Sequence, residues 1–262
     1  MEKSALPQGE ISGTVLLYSR PEPLNPDLHG KLGVKRQDNP FGFAATTHLI
    51  PLTVTEFQPA SISYPIIFVG DEYTPVAVMG LKEGENLFIS PNGAQDPDAY
   101  IPAYIRRYPF VFANDQTSDR MILCIDRGAS IFDEKGGDQP LFVGSEPSDY
   151  TKAAMDFCRE FENERHRTDD FVKVLRDADL FEVKQAMFTP RAPDGTAGEP
   201  QMLAEYFAVS EEKLAKLPKE KVLELFENGA LMQIYSSMVS LLNWERLLTR
   251  AMTRQTAAAN LN

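Results

Sequence analysis

The chain has 262 residues, with 26 Lys and Arg against 38 Asp and Glu, for a formal net charge of −12. That balance argues against nucleic acid as the main partner, because such binding is led by clustered basic side chains that neutralise phosphates, and it disfavours docking on anionic lipid. With 43% hydrophobic and 24% charged residues, the composition is that of a globular protein with a sizeable core, and wholesale disorder is excluded.

Residues 1–45 read as an N-terminal arm. They hold a short strand candidate at 14–18, a stretch punctuated by Pro21, Pro23 and Pro26, and basic Lys31, Lys35 and Arg36. From residue 46 the pattern shifts to short runs rich in Val, Ile, Phe and Tyr, at 48–52, 64–69, 75–81, 86–90, 109–113 and 121–126. The Pro91-Asn92-Gly93 turn signal punctuates them. Two helices interrupt the strands: 53–61, where Thr53 and Glu56 form a capping-box pattern, and 102–108, where Pro102 suits a first helical position. Amphipathic spacing predicts a helix over about 148–167, and Thr168 followed by Asp169 and Asp170 reads as the cap of a second helix through 179. Residues 181–188 and 203–209 read as a hairpin with a Pro/Gly-rich tip. Ser210 caps a short helix, Pro218 starts another that Gly229 ends, and a last helix from Ala230 to Arg250 or beyond places Leu231, Ile234, Tyr235, Met238, Leu241, Leu242 and Leu248 at helical spacing, to pack on a core or a partner. The fold class is α+β, with an antiparallel-rich or mixed central sheet and helices of the C-terminal half packed on it, in a single domain over 46–262.

No familiar chemistry emerges. His29, His48 and His166 are scattered without metal-ligand spacing, and no nucleophile elbow, P-loop or dinucleotide turn is present. No catalytic residue, metal ligand or cofactor is assigned. Cys124 and Cys158 sit within apolar periodicity and read as small core residues. The apolar runs fall far short of the roughly 20 residues of a membrane helix. Residues 1–13 lack the pattern of a secretory signal peptide, so the chain reads as cytoplasmic. The densest constellation is at residues 98–110, where Tyr100, Tyr104, Arg106 and Arg107 bring phenols and guanidinium groups together. Such a face suits a carboxylate or phosphate. The competing reading is that the arginines pair with internal acids such as Asp71, Glu72, Glu83 or Glu85 and lock the helix onto the sheet. The ligand-binding candidates are therefore Arg106, Arg107, Tyr100, Tyr104, His48, Glu85 and Asp71.

The blocks His48-Leu-Ile-Pro-Leu52, Tyr64-Pro-Ile-Ile-Phe68, Pro75-Val-Ala-Val-Met-Gly-Leu81, Gly84-Glu-Asn-Leu-Phe88 and the Tyr100–Phe110 segment, with 207–214 and 229–240 towards the C-terminus, resemble in order those of the bacterial SapC family, over about residues 40–250. The resemblance implies an association with surface layers, for which some members are named, and a setting among outer-membrane uptake and halogenase-like genes, without an agreed activity. The transporter permease of the same name does not fit, since no membrane span is present. The leading expectation is a non-catalytic binding or accessory protein of bacterial envelope or nutrient-uptake systems, with an unknown protein or an anionic small molecule as partner. The alternatives are an enzyme in which Arg106 or Arg107 holds an anionic substrate while His48 or Glu85 serves as acid or base, and an oligomeric, surface-layer-like structural protein. The oligomeric state is open.

Overall fold

A computed structural model describes residues 15–115, 120–189, 196 and 198–259. In chain order the elements are β1 (Pro21–Pro23), α1 (Pro26–His29), β2 (Gly33–Val34), β3 (Leu49–Pro51), α2 (Phe57–Ser61), β4 (Ile66–Val69), β5 (Thr74–Val78), α3 (Ala103–Arg106), β6 (Phe110–Asp115) and β7 (Arg120–Asp126). There follow β8 (Phe132–Asp133), β9 (Gln139–Pro140), β10 (Phe142–Val143), β11 (Glu146–Pro147), α4 (Asp149–Asp177), β12 (Phe181–Phe188), β13 (Gln201–Val209), α5 (Glu211–Ala215), α6 (Lys219–Glu227), α7 (Ala230–Ser240) and α8 (Asn243–Ala259). The fold is α+β with antiparallel sheets, as the sequence implies. The chain divides into two compact units. One holds the described residues through Pro40 with Arg106–Glu162, and the other holds Phe41–Ile105 with the described residues from Asn163 onward.

In the first unit, β6 and β7 pair antiparallel from Phe110↔Ile125 to Asp115↔Arg120, and β1 adds to the other side of β7. An outer position suits β1, because Pro21 and Pro23 have no N–H to donate to a further strand. Alternation in β6 and β7 turns Phe110, Leu123 and Ile125 into a core completed by Leu32, Val34, Leu141, Phe142 and Cys158. Between β8 and β9 runs β2, where Gly33 is obligatory: a Cβ there would lie 1.6 Å from the Gly136 carbonyl oxygen. Residues 15–18, expected to be a strand, instead form a turn with Tyr18 N–H donating to Val15 O at 3.1 Å; Thr14 lies outside the described residues. The turn lets the Tyr18 hydroxyl reach Phe110 O at 2.6 Å.

Asp126 ties this unit together. Its fully buried carboxylate accepts from the N–H groups of Ser19 (2.9 Å), Arg20 (2.8 Å) and Gly128 (3.0 Å), and from the Tyr108 hydroxyl at 3.0 Å. Burial alone would raise the acid's pKa. The backbone donations outweigh it and hold the carboxyl below the usual aspartate range. Cys124 and Cys158 are buried free thiols, and burial pushes them up to about 12 and about 11. Both stay protonated at neutral pH, in keeping with their reading as core residues.

The second unit is built on one sheet with strand order β12-β13-β4-β5-β3. Its β12–β13 hairpin matches the sequence reading, although most of the expected tip (190–195 and 197) lies outside the described residues. Aromatic packing seals one face: Phe57 meets Phe68 and Phe171 edge-on, Phe68 meets Phe181 at 5.0 Å, and Tyr73 stacks on Phe181 at 4.3 Å. Helix α7 packs on α2, β4 and β13, and the Ser240 hydroxyl accepts from Ile66 N–H at 2.8 Å.

Three expected boundaries are corrected. First, α4 is one helix of 29 residues, and Thr168 lies inside it. Its hydroxyl donates back to Glu164 O at 2.6 Å and accepts from Val54 N–H at 2.8 Å, so a residue that resembles a cap instead binds a neighbouring segment. Second, the last helix breaks after Ser240, where the Asn243 side-chain amide takes the carbonyls of Ser240 (3.0 Å), Ser61 (2.7 Å) and Tyr64 (3.3 Å). Third, residues 86–90 are no strand but a loop with a single bridge, Ile89↔Gln95. Fully buried Asn86 explains it. Its side chain donates to the carbonyls of Ala44 and Thr47, both at 3.1 Å, and accepts from the N–H groups of Phe88 (2.9 Å) and Ile89 (3.0 Å).

Candidate functional site

The residues singled out in the sequence fall on both units: Arg106 and Arg107 on the first, and Tyr100, Tyr104, His48, Glu85 and Asp71 on the second. Arg107 is 7% exposed, with its guanidinium over the Phe161 ring at 4.3 Å and 3.6 Å from the Glu162 carboxylate. It serves packing there, and the acid beside it, Glu162, is none of those expected. Arg106 is exposed, over the Phe157 ring at 5.3 Å.

On the second unit, the Tyr100 hydroxyl donates to Glu56 Oε1 at 3.0 Å. Glu56 is itself buried, and it also accepts from Ala103 N–H at 2.6 Å and from the N–H and hydroxyl of Thr53 at 2.8 and 2.9 Å. The capping-box acid thus anchors the entry to α3, where Tyr104 is buried. His48 and Glu85 flank Gly80: a Cβ there would lie 2.3 Å from Glu85 O and 3.1 Å from His48 Cβ. Asp71 is exposed in the β4–β5 turn, which Tyr73 N–H closes onto Gly70 O at 3.1 Å.

A cavity of about 480 Å³ lies elsewhere on the second unit, between residues 87–90 and 94–96 on one side and Thr249, Arg250, Thr253 and Arg254 of α8 on the other. Asn86 fixes the first wall by the bonds above. The turn at 90–94 is closed by Ser90 N–H to Ala94 O and Gly93 N–H to Ser90 O, both 2.8 Å, so the Pro-Asn-Gly signal is a turn as expected. Asp96 N–H donates to Phe88 O at 2.9 Å, which brings the Asp96 carboxylate to the cavity. On the second wall, Arg250 and Arg254 stand one helical turn apart and share a face. The Arg250 guanidinium covers the Phe88 ring at 4.4 Å and lies 2.6 Å from Asp96 Oδ2, and Arg254 donates to Asn86 O at 2.6 Å. Phe88 is held from another side by Tyr64, whose ring meets it edge-on at 4.6 Å. Burial raises the Tyr64 phenol far above its ordinary value, so it remains a neutral donor, bonded to Tyr100 O.

The lining combines two guanidinium groups, one carboxylate, and the hydroxyls and amide of Ser90, Thr249, Thr253 and Gln95. Its formal balance is positive, in a chain whose total is −12. The volume falls within the range of small-molecule sites. None of the seven residues proposed from the sequence lines it. Among the described residues no group of three His, Cys, Asp or Glu is placed to hold a metal, and no helix is long and apolar enough to cross a membrane. The chemistry available is recognition of an anion by charge-assisted hydrogen bonds.

Residues 24–247 match the SapC family, so the chain belongs to the SapC family. No curated protein and no solved structure matches it. The matched span includes the loop wall of the cavity and ends before Arg250 and Arg254. These two arginines are not among the sequence-derived candidates, because the apolar periodicity that marks the last helix says nothing of its basic side chains. The available signal was their spacing of four, one turn apart on a helix face.

Proposed function

We propose that this SapC-family protein is a non-catalytic binding or accessory protein that takes a small anionic molecule, with a carboxylate or phosphate group, in the cavity between residues 87–96 and α8. One observation supports this reading most: Arg250 and Arg254, two cations of an acidic chain, meet in a concavity of ligand size. The Arg250–Asp96 pair acts as an internal stand-in, with a carboxylate already seated on the guanidinium that a ligand would engage. The setting among envelope and nutrient-uptake systems implied by the family resemblance accords with a binding role.

The test is a thermal-shift screen against a panel of small carboxylates and phosphates. A binding anion raises the midpoint with the logarithm of its concentration relative to Kd, and ligand at 100 times its Kd adds about 2.7 kcal/mol. The expected result is at least one stabilising anion whose effect is lost in Arg254→Gln, a change that removes the charge while keeping a donor for Asn86 O. No stabilising anion, or the same shift in the variant, would contradict the proposal.

A further inference from the structure

Helix α7 and the turn after it carry a row of large apolar side chains open to solvent: Met232 at 56% exposure, Tyr235 at 51%, Val239 at 58% and Leu242 at 75%. Spacing of three and four residues keeps Met232, Tyr235 and Val239 on one side over roughly 10 Å of helix axis, and Leu242 follows in the turn. The opposite side is the one the fold uses, with Ile234, Ser237 and Ser240 buried. From 230 to 242 the sequence contains no Lys, Arg, His, Asp or Glu at all. Helix α6, which packs on α7, marks the limit of that uncharged stretch, since its exposed Leu223 and Phe226 sit beside exposed Glu224 and Glu227.

We infer that this face docks a second copy of the same chain. The area fits. From the fractional exposures, the four side chains offer roughly 450 Å² of mostly apolar surface, and part-exposed Leu231 and Met238 of the same uncharged stretch border them; a standard interface needs about 800 Å² per partner, of which about 65%, or roughly 500 Å², is apolar in homodimers. Charge favours the same occupant. Two chains of −12 repel wherever their acids meet, and this uncharged row is where two identical surfaces can approach without apposing like charges. A lipid surface fits less well, since α7 carries no Lys or Arg for headgroups. The association is two-fold, with the same residues on both partners. It is independent of the cavity, because none of these residues lines it.

Light scattering on the full chain over a concentration series tests the inference. The expected mass rises to twice the 29.3 kDa of one chain, and the self-association constant weakens at least tenfold in a Tyr235→Glu, Leu242→Glu double variant whose circular dichroism matches wild type. A second measurement covers misfolding of that variant: Val239→Cys forms an oxidised dimer faster than Val143→Cys, a control at a somewhat more exposed position of the other unit. A monomer at every concentration, a dimer indifferent to the double variant, equal cross-linking rates, or a monomer that instead co-sediments with phosphatidylcholine vesicles would each overturn it.

Discussion

Asp126 shows how one residue holds a unit whose strands are short. It gathers N–H groups from two chain segments and a tyrosine hydroxyl around one buried carboxylate, and it performs that role only when ionised. The sign of its pH dependence follows. Because the folded carboxyl titrates below the ordinary aspartate value of about 3.9, its contribution is fully present above that value and is lost as pH falls through the lower folded one. Urea unfolding of wild type and Asp126→Asn should give a gap of about 3 kcal/mol at neutral pH. The gap should shrink only in the acid range; one that is independent of pH would show that the charge is not what matters. Little in the sequence marks Asp126 out, since only the Gly128 N–H is local, while Tyr108 lies 18 residues away and Ser19 and Arg20 lie 107 and 106 away. The Thr53–Glu56 pattern was legible, but only the local part of it: the bonds from Tyr100 and Ala103 span more than forty residues.

At the scale of elements, alternation and turn chemistry made the hairpins readable. Strands β3 to β7, β12 and β13 all fall within or beside the expected runs. The misreadings share a physical origin, in polar side chains satisfied by distant partners. Thr168 resembles a helix cap because a hydroxyl before two carboxylates suits a helix start, yet in α4 it bridges to Val54. Asn86 ends a β-like run by bonding to Ala44 and Thr47, and Asn243 divides the last helix by bonding to Ser61 and Tyr64. Thr168→Val keeps the shape and leaves the Val54 N–H buried without its acceptor. It should therefore lower stability by about 1–3 kcal/mol with the helical circular dichroism intact, while Thr168→Ser restores most of the loss. Loss of helical signal in Thr168→Val would instead assign the residue to the continuity of α4.

For the whole molecule, the acidic balance remains the most informative global quantity. It argued against nucleic acid and anionic lipid, and it makes the two basic side chains at the cavity and the uncharged face of α7 stand out against their surroundings. The cavity was not legible because its walls meet only on folding: Arg254 bonds to Asn86 across 168 residues. The Tyr100–Arg107 segment attracted attention by local density, and much of that density is spent on packing around Glu56, Phe161 and Glu162. The two candidate regions are separable by one measurement. Calorimetric titration of the most stabilising carboxylate or phosphate into wild type, Arg254→Gln and Arg106→Ala should give one site per chain, an affinity at least about tenfold weaker (about 1.4 kcal/mol) in Arg254→Gln, and wild-type affinity in Arg106→Ala. Equal affinity in all three, or a loss confined to Arg106→Ala, would contradict the assignment of the cavity as the binding site.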